Sequence, residues 1–143
     1  MRAYLDTNIL VFLFQKNLGE ISADTQELID DCANILMTST VCVQEFIRLC
    51  QIGKVYGEKK RQDNVVEADD ILPWIEGMDI KIVPTVERHL ATLAGLPLYG
   101  DHRDPNDRLI IAQAITDRIP LISSDRKFAK YERYGLELIY NER

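Results

Sequence analysis

The chain has 143 residues, 46% of them hydrophobic, enough for one buried core and short of two, and it reads as a single domain over residues 1–143. No apolar run approaches the roughly 20 residues of a membrane-spanning helix, and Met1-Arg2-Ala3-Tyr4-Leu5-Asp6 meets an acid before a signal sequence could develop, so a cytoplasmic protein with no membrane partner is expected. At a net charge of −6 the chain is not an obvious partner of nucleic acid.

Ala3 to Leu5 is a short apolar run that stops at Asp6-Thr7-Asn8, after which Ile9 to Phe14 continues apolar. This order fits a buried strand giving way to a helix, with Asp6 at the strand's carboxyl end. Ser22 is placed to cap a helix whose Leu28, Ile29, Cys32 and Ala33 share a face, and Ile35-Leu36-Met37 reads as a second strand. Ser39 or Thr40 caps the next helix, where Val43, Phe46, Ile47 and Cys50 follow the 3.6 period and Gly53 supplies the stop.

From Lys54 to Asn64 the composition turns polar and basic, and a helical pattern resumes over Val65 to Ile75. Ile80 to Val83 alternates like a strand, and Thr85 is positioned to cap a helix ending at Gly95. His102 to Asp107 opens another helix with Leu109 to Ala114 as its buried face. Pro120 to Ile122 begins a strand closed by Ser123-Ser124-Asp125, and Leu136 to Tyr140 reads as a final edge strand. Strands alternating with helices at this spacing predict a parallel sheet covered on both faces, with ligands at the strands' carboxyl ends. Neither an internal repeat nor a low-complexity tail interrupts the chain.

Cys32, Cys42 and Cys50 form no Cys-x-x-Cys pair. Cys42 and Cys50 lie two helical turns apart on one apolar stripe, so they read as reduced core thiols without a metal role.

Five acids, Asp6, Glu45, Asp104, Asp107 and Asp125, fall where a strand enters a helix or on a helix's first turns, and without them the net charge would be −1. Bound divalent cations would offset much of that charge, so an acidic chain can still meet a phosphate substrate. Carboxylates suit hard cations, and with no histidine or cysteine ligand expected in reach they favour Mg²⁺ or Mn²⁺ over zinc. Two such ions roughly 3.5–4 Å apart would suit phosphodiester hydrolysis by metal-activated water.

Each acid also has a structural explanation that the residues alone leave open. Asp6 could be an N-cap, Asp104-Pro105-Asn106-Asp107 is a good helix start in its own right, Glu45 could lie on a solvated rim, and Asp125 could be a turn residue. Asp6 at a strand end could alternatively be the nucleophile of an aspartyl-phosphate enzyme, although Asn8 stands where such enzymes resemble Asp-x-Asp. Arg108 and Arg126 adjoin proposed ligands and could meet phosphate, while Arg48, Lys54, Lys59, Lys60, Arg61, Arg103, Lys127, Lys130 and Arg133 read mainly as solvated surface.

The order of four segments carries a resemblance. They are Tyr4-Leu5-Asp6-Thr7-Asn8, Val43-Gln44-Glu45-Phe46, the run from His102-Arg103-Asp104-Pro105-Asn106-Asp107 to Ala114, and Leu121-Ile122-Ser123-Ser124-Asp125. In these the chain resembles PIN-domain ribonucleases, in particular the VapC-type toxins of bacterial toxin–antitoxin pairs. The resemblance implies a PIN-like three-layer α/β/α sandwich with a central, mainly parallel sheet. It implies that Asp6, Glu45, Asp107 and Asp125 hold Mg²⁺ or Mn²⁺ and are catalytic, with Asp104 an additional acid and Asn8 and Ser123 in support. It further implies an RNA substrate, a small antitoxin protein and self-association as a homodimer. Asn106 departs from the aromatic or aliphatic residue usual there, which reads as a packing change that leaves the acids intact. A PIN-like module that binds RNA or protein without turnover is the alternative.

Overall fold

The computed structural model describes residues 1–56 and 66–143; Lys59, Lys60, Arg61 and Val65 lie outside the described residues. Five strands form one sheet: β1 (Arg2–Leu5), β2 (Ile35–Ser39), β3 (Lys81–Val83), β4 (Leu121–Ser123) and β5 (Leu138–Tyr140). Their order is β3-β2-β1-β4-β5 and every pairing is parallel. Between them run α1 (Thr7–Phe14), α2 (Ala23–Asp30), α3 (Thr40–Gln51), α4 (Ile71–Gly77), α5 (Glu87–Gly95) and α6 (Pro105–Asp117), with short 3-10 helices at Leu18–Glu20, Ala68–Asp70 and Arg126–Tyr134.

The strand order decides the layers. From β1 the sheet grows through β2 to β3, and the chain then crosses back over β1 to β4 and β5. Parallel crossovers are right-handed, so reversing the direction of travel moves the later helices to the opposite face. The result is a PIN-like α/β/α sandwich, with β1 buried at its centre: Ala3, Tyr4 and Leu5 are each fully buried. The sequence order also reverses beside β1, where β2 and β4 flank it, which opens a crevice at the strands' carboxyl ends.

The helices α1, α3 and α4 pack through aromatic rings. Phe14 of α1, Phe46 of α3 and Trp74 of α4 meet edge to face at centroid distances of 5.4, 5.1 and 5.9 Å. Such geometry favours the rings beyond the area they bury. Thr38 donates to the Leu5 carbonyl at 2.9 Å and Ser39 to Gln113 at 2.7 Å, tying β2 to the end of β1 and to α6.

Three local expectations are corrected. The second helix ends at Asp30, so Cys32 and Ala33 leave its face and lie exposed in the turn before β2. Thr85 does not cap α5; the N-cap is Val86, whose N–H donates to His89 Nδ1 at 3.0 Å, while the Thr85 hydroxyl donates to Gln113 at 2.9 Å. The helical pattern at Val65–Ile75 becomes a 3-10 turn at Ala68–Asp70 followed by α4, the latter starting at Ile71. Elsewhere the caps agree: Ser22 accepts from Thr25 N–H, and Ser39 from Val41 N–H at 3.1 Å.

Candidate metal centre

Asp6 follows β1 directly and stands at the centre of the crevice, 3% exposed. It is an N-cap, its Oδ1 accepting from Thr7 N–H at 2.8 Å, but its other oxygen is also engaged. Ser123 Oγ, at the end of β4, donates to Asp6 Oδ2 at 2.7 Å and itself accepts from Asp125 N–H at 3.1 Å. Asn8 Nδ2 reaches the same Oδ2 at 3.3 Å, and Asn8 Oδ1 accepts from Ser124 N–H at 3.3 Å. The turn after β1 and the turn after β4 are thus laced together through polar side chains, which fixes Asp6 relative to Asp125.

The remaining acids arrive on three other elements. Glu45, half-buried on α3, accepts from Thr7 Oγ1 at 3.1 Å. Asp104 is the exposed N-cap of α6, its Oδ1 accepting from Asn106 N–H at 2.9 Å and Asp107 N–H at 3.1 Å, with Pro105 at the first position. Asp107 lies in the first turn, its side chain 24% exposed and turned toward the crevice acids. Asp125 caps the 3-10 helix that follows β4, accepting from Lys127 N–H at 2.9 Å.

Burial pushes Asp107 up to about 8, and the negative charges of Asp6, Asp104, Glu45 and Asp125 add to the effect. Burial likewise lifts Asp6 to about 6 against the hydrogen bonds from Ser123 and Thr7, with Glu45 and Asp125 raising it further. Burial raises Glu45 and the negative charge of Asp104 raises it further, while the Thr7 hydrogen bond and the positive charge of Arg48 lower it. All five acids therefore stand in one electrostatic neighbourhood, and each makes its neighbours harder to ionise.

A histidine belongs to this neighbourhood too, which corrects the expectation that none would be in reach. His102 is 4% exposed, and one ligand atom each from His102, Asp107 and Asp125 lie within 4.8 Å of one another. Its Nε2 lies 3.4 Å from Asp107 Oδ2, a contact that is an ion pair only when the ring is protonated. Burial lowers its affinity for a proton. Sequence reasoning also passed over Thr7, which orients Glu45, and Asn141, whose fully buried side chain holds Ser124 Oγ at 2.7 Å and the Glu20 carbonyl at 2.8 Å. Thr7 was signalled by its place beside Asp6; Asn141 carried no local signal.

The basic candidates are differently disposed. Arg108 Nη2 donates to the Leu96 and Pro97 carbonyls at 3.1 and 3.3 Å, and Arg126 Nε to the Tyr140 hydroxyl at 2.9 Å. Lys127 donates to the Asp101 carbonyl at 3.0 Å and Lys130 pairs with the Asp101 carboxylate. Arg48 is exposed, one turn on from Glu45.

An ion fits what these residues offer. Hard carboxylate oxygens converge on a partly open crevice, their mutual repulsion is uncompensated by any described lysine or arginine pair, and a divalent cation would relieve it. Among the described residues no helix is long and apolar enough to cross a membrane.

The family model described as PIN domain matches residues 3–134. No curated protein matches the chain in sequence. Among solved structures, VapBC from Salmonella typhimurium, bound to DNA, is similar with a TM-score of 0.68 at 14% identity, covering 98% of each chain. VapBC2 from Rickettsia felis, bound to a DNA fragment from its promoter, gives 0.66 at 19% identity over 99% of this chain and 100% of that one. VapBC-5 from Mycobacterium tuberculosis, of the VapBC family of toxin–antitoxin systems, gives 0.64 at 22% identity over 97% and 98%. At these identities the likeness is one of fold.

Proposed function

The chain belongs to the PIN-domain family, and on that premise we propose that it is a divalent-metal-dependent endoribonuclease, the toxin of a toxin–antitoxin pair. The observation that carries this reading is that Asp107 and Asp125 offer ligand atoms within 4.8 Å of each other and share one electrostatic neighbourhood with Asp6 and Glu45, where burial makes Asp6 and Asp107 resist ionisation. Their caps and hydrogen bonds do not account for the burial and mutual repulsion that raise Asp6 and Asp107, both of which cost the empty fold. A site for Mg²⁺ or Mn²⁺ gives them a purpose.

Asp6, Glu45, Asp107 and Asp125 would hold the cation, and the carboxylate of Asp104 adds negative charge at the rim while capping α6. When bound, the cation supplies Lewis acidity toward a phosphate oxygen and makes water nucleophilic near neutral pH. Asn8 and Ser123 keep Asp6 and Asp125 in register through the bonds described above, and Thr7 holds Glu45. Arg126, exposed beside Asp125, is the better placed of the two arginines to meet a substrate phosphate, because Arg108 is committed to carbonyls at the end of α5.

A small antitoxin protein is the expected partner, together with pairing of two copies of the chain. The similarity to solved toxin–antitoxin structures over nearly the whole chain supports the first of these. The test is cleavage of a mixed RNA substrate by partner-free protein with Mg²⁺, Mn²⁺ or EDTA, beside Asp6→Ala and Asp125→Ala. Cutting that requires the metal and disappears in both variants is expected. Intact RNA under every condition would instead support an RNA- or protein-binding module without turnover.

A further inference from the structure

His102 is buried to nine-tenths and more, and its two ring nitrogens have different fates. Nδ1 lies 2.7 Å from the fully buried Tyr131 hydroxyl. Nε2 has no hydrogen-bond partner among the described residues although it is sealed from water; its nearest charged neighbour, Asp107 Oδ2 at 3.4 Å, is in electrostatic contact without hydrogen-bond geometry. A buried ring nitrogen left without a partner is costly and unusual. This one points into the group formed with Asp107 and Asp125.

We propose that His102 is itself a metal ligand, its Nε2 forming with Asp107 and Asp125 a mixed imidazole–carboxylate corner that biases the site toward Mn²⁺ over Mg²⁺. The inference rests on the metal-site reading above and adds a nitrogen donor to it. The three ligand atoms lie within 4.8 Å of one another, close to what one ion needs, since ligands on opposite sides of an ion at about 2.1 Å stand about 4.2 Å apart. The Tyr131 contact has the form of an outer partner for a ligating histidine: Nδ1–H donates to the Tyr131 oxygen, which fixes the tautomer and leaves the Nε2 lone pair free. The ring is further held between Tyr131 and Phe128, at centroid distances of 5.3 and 5.6 Å. As a transition-metal ion Mn²⁺ tolerates a nitrogen donor among its oxygen ligands better than Mg²⁺, which demands near-ideal octahedral oxygen coordination and retains water.

The experiment reads the ligand directly. Pulsed electron paramagnetic resonance of Mn²⁺ added to the metal-free protein is expected to show nitrogen modulation from a coordinated imidazole. The chain has two histidines, and the other, His89, is paired with Asp117 on α6, away from the acidic cluster, so the signal can be assigned. In His102→Asn the amide can keep a hydrogen bond to Tyr131 while Nε2 is lost. The modulation should vanish and Mn²⁺ affinity fall at least about tenfold, with Mg²⁺ affinity changing by less than about threefold. His102→Gln, which returns an oxygen near the Nε2 position, should recover binding without the nitrogen signal. Bound Mn²⁺ with no nitrogen modulation in the wild type, or modulation unchanged in His102→Asn, overturns the proposal and leaves the acidic site standing. Failure to bind Mn²⁺ at all would overturn both.

Discussion

Replacing Asp6 with Asn should stabilise the metal-free protein, by an amount that depends on pH in a defined way. In the unfolded chain the carboxyl titrates near its ordinary value of 3.8; in the folded chain burial lifts it to about 6. At about 1.4 kcal/mol for each tenfold difference, keeping that charge in the folded chain costs about 3 kcal/mol once the group is ionised. Below the unfolded value both states are protonated and the cost is absent. It grows as pH rises from 3.8 to about 6, where the unfolded chain has released its proton and the folded chain has not, and is constant above. Asn keeps the cap to Thr7 N–H but weakens the bond from Ser123, so about 2 kcal/mol should remain, or about 6 °C in Tm for a chain of this size. Thermal unfolding followed by circular dichroism in EDTA, at about pH 4 and about pH 7.5, makes the comparison. The variant should lead at the higher pH and match the wild type at the lower. A gap of equal size at both, or a variant less stable at the higher pH, would refute the account of Asp6 as a strained buried charge. Saturating Mn²⁺ should reverse the order, since about 100-fold excess over Kd stabilises the binding-competent wild type by about 2.7 kcal/mol.

Asp104→Ala should lower stability in urea by about 1 kcal/mol through the lost α6 cap, whereas Asp104→Ser, which still caps, should stay within about 0.5 kcal/mol of wild type. Under native conditions iodoacetamide should label the exposed Cys32 and spare Cys42, whose buried thiol is pushed far up by desolvation and by the charge of Asp6; peptide mapping by mass spectrometry checks this. Asn8→Ala removes the ties from the β1 turn to Asp6 and Ser124, so RNA cleavage should fall at least about tenfold in the assay above while the far-ultraviolet spectrum is unchanged.

How much of this was legible in the sequence follows from the range of the interactions involved. Asp6 and Asp125 sit at the ends of strands and Asp104 at a helix start, all places that short-range rules locate, and each does cap a helix. The N-cap reading of Asp6 holds but accounts for only part of it: one oxygen meets Thr7 N–H while the other accepts from Ser123 and Asn8. Thr85 illustrates the opposite outcome. It is a good local cap, but Ser39 and Gln113 lie within hydrogen-bond reach of its hydroxyl, and partners brought by β2 and α6 outcompeted the helix. His102 escaped notice because its position is set by Tyr131, 29 residues later, and by the packing of Phe128; nothing near it in the chain says that the ring turns inward. The helical period that placed Cys32 and Ala33 on a buried face ran past the end of α2, where Asp31 takes an extended backbone conformation.

The acids that raise one another's proton affinity also determine how the site responds to an ion. Burial first, and then the repulsion of four neighbouring carboxylates, lift Asp107 toward 8; a bound cation would offset the repulsion and favour the ionised form against the cost of burial. Apo stability and cation affinity should therefore trade against each other across variants of the cluster: neutralising Asp6, Glu45 or Asp107 stabilises the empty fold and weakens the ion's hold by a related amount. Arg48 tests the rule from the other direction, because its positive charge eases the ionisation of Glu45 from an exposed position without being a ligand. Arg48→Gln should lower apo stability slightly and tighten Mn²⁺ binding about two- to threefold, less in high salt because an exposed charge is screened. Calorimetric titration of Mn²⁺ at low and high salt measures this, and weaker binding in the variant would show that local packing, and not the summed charge of the crevice, controls the ion.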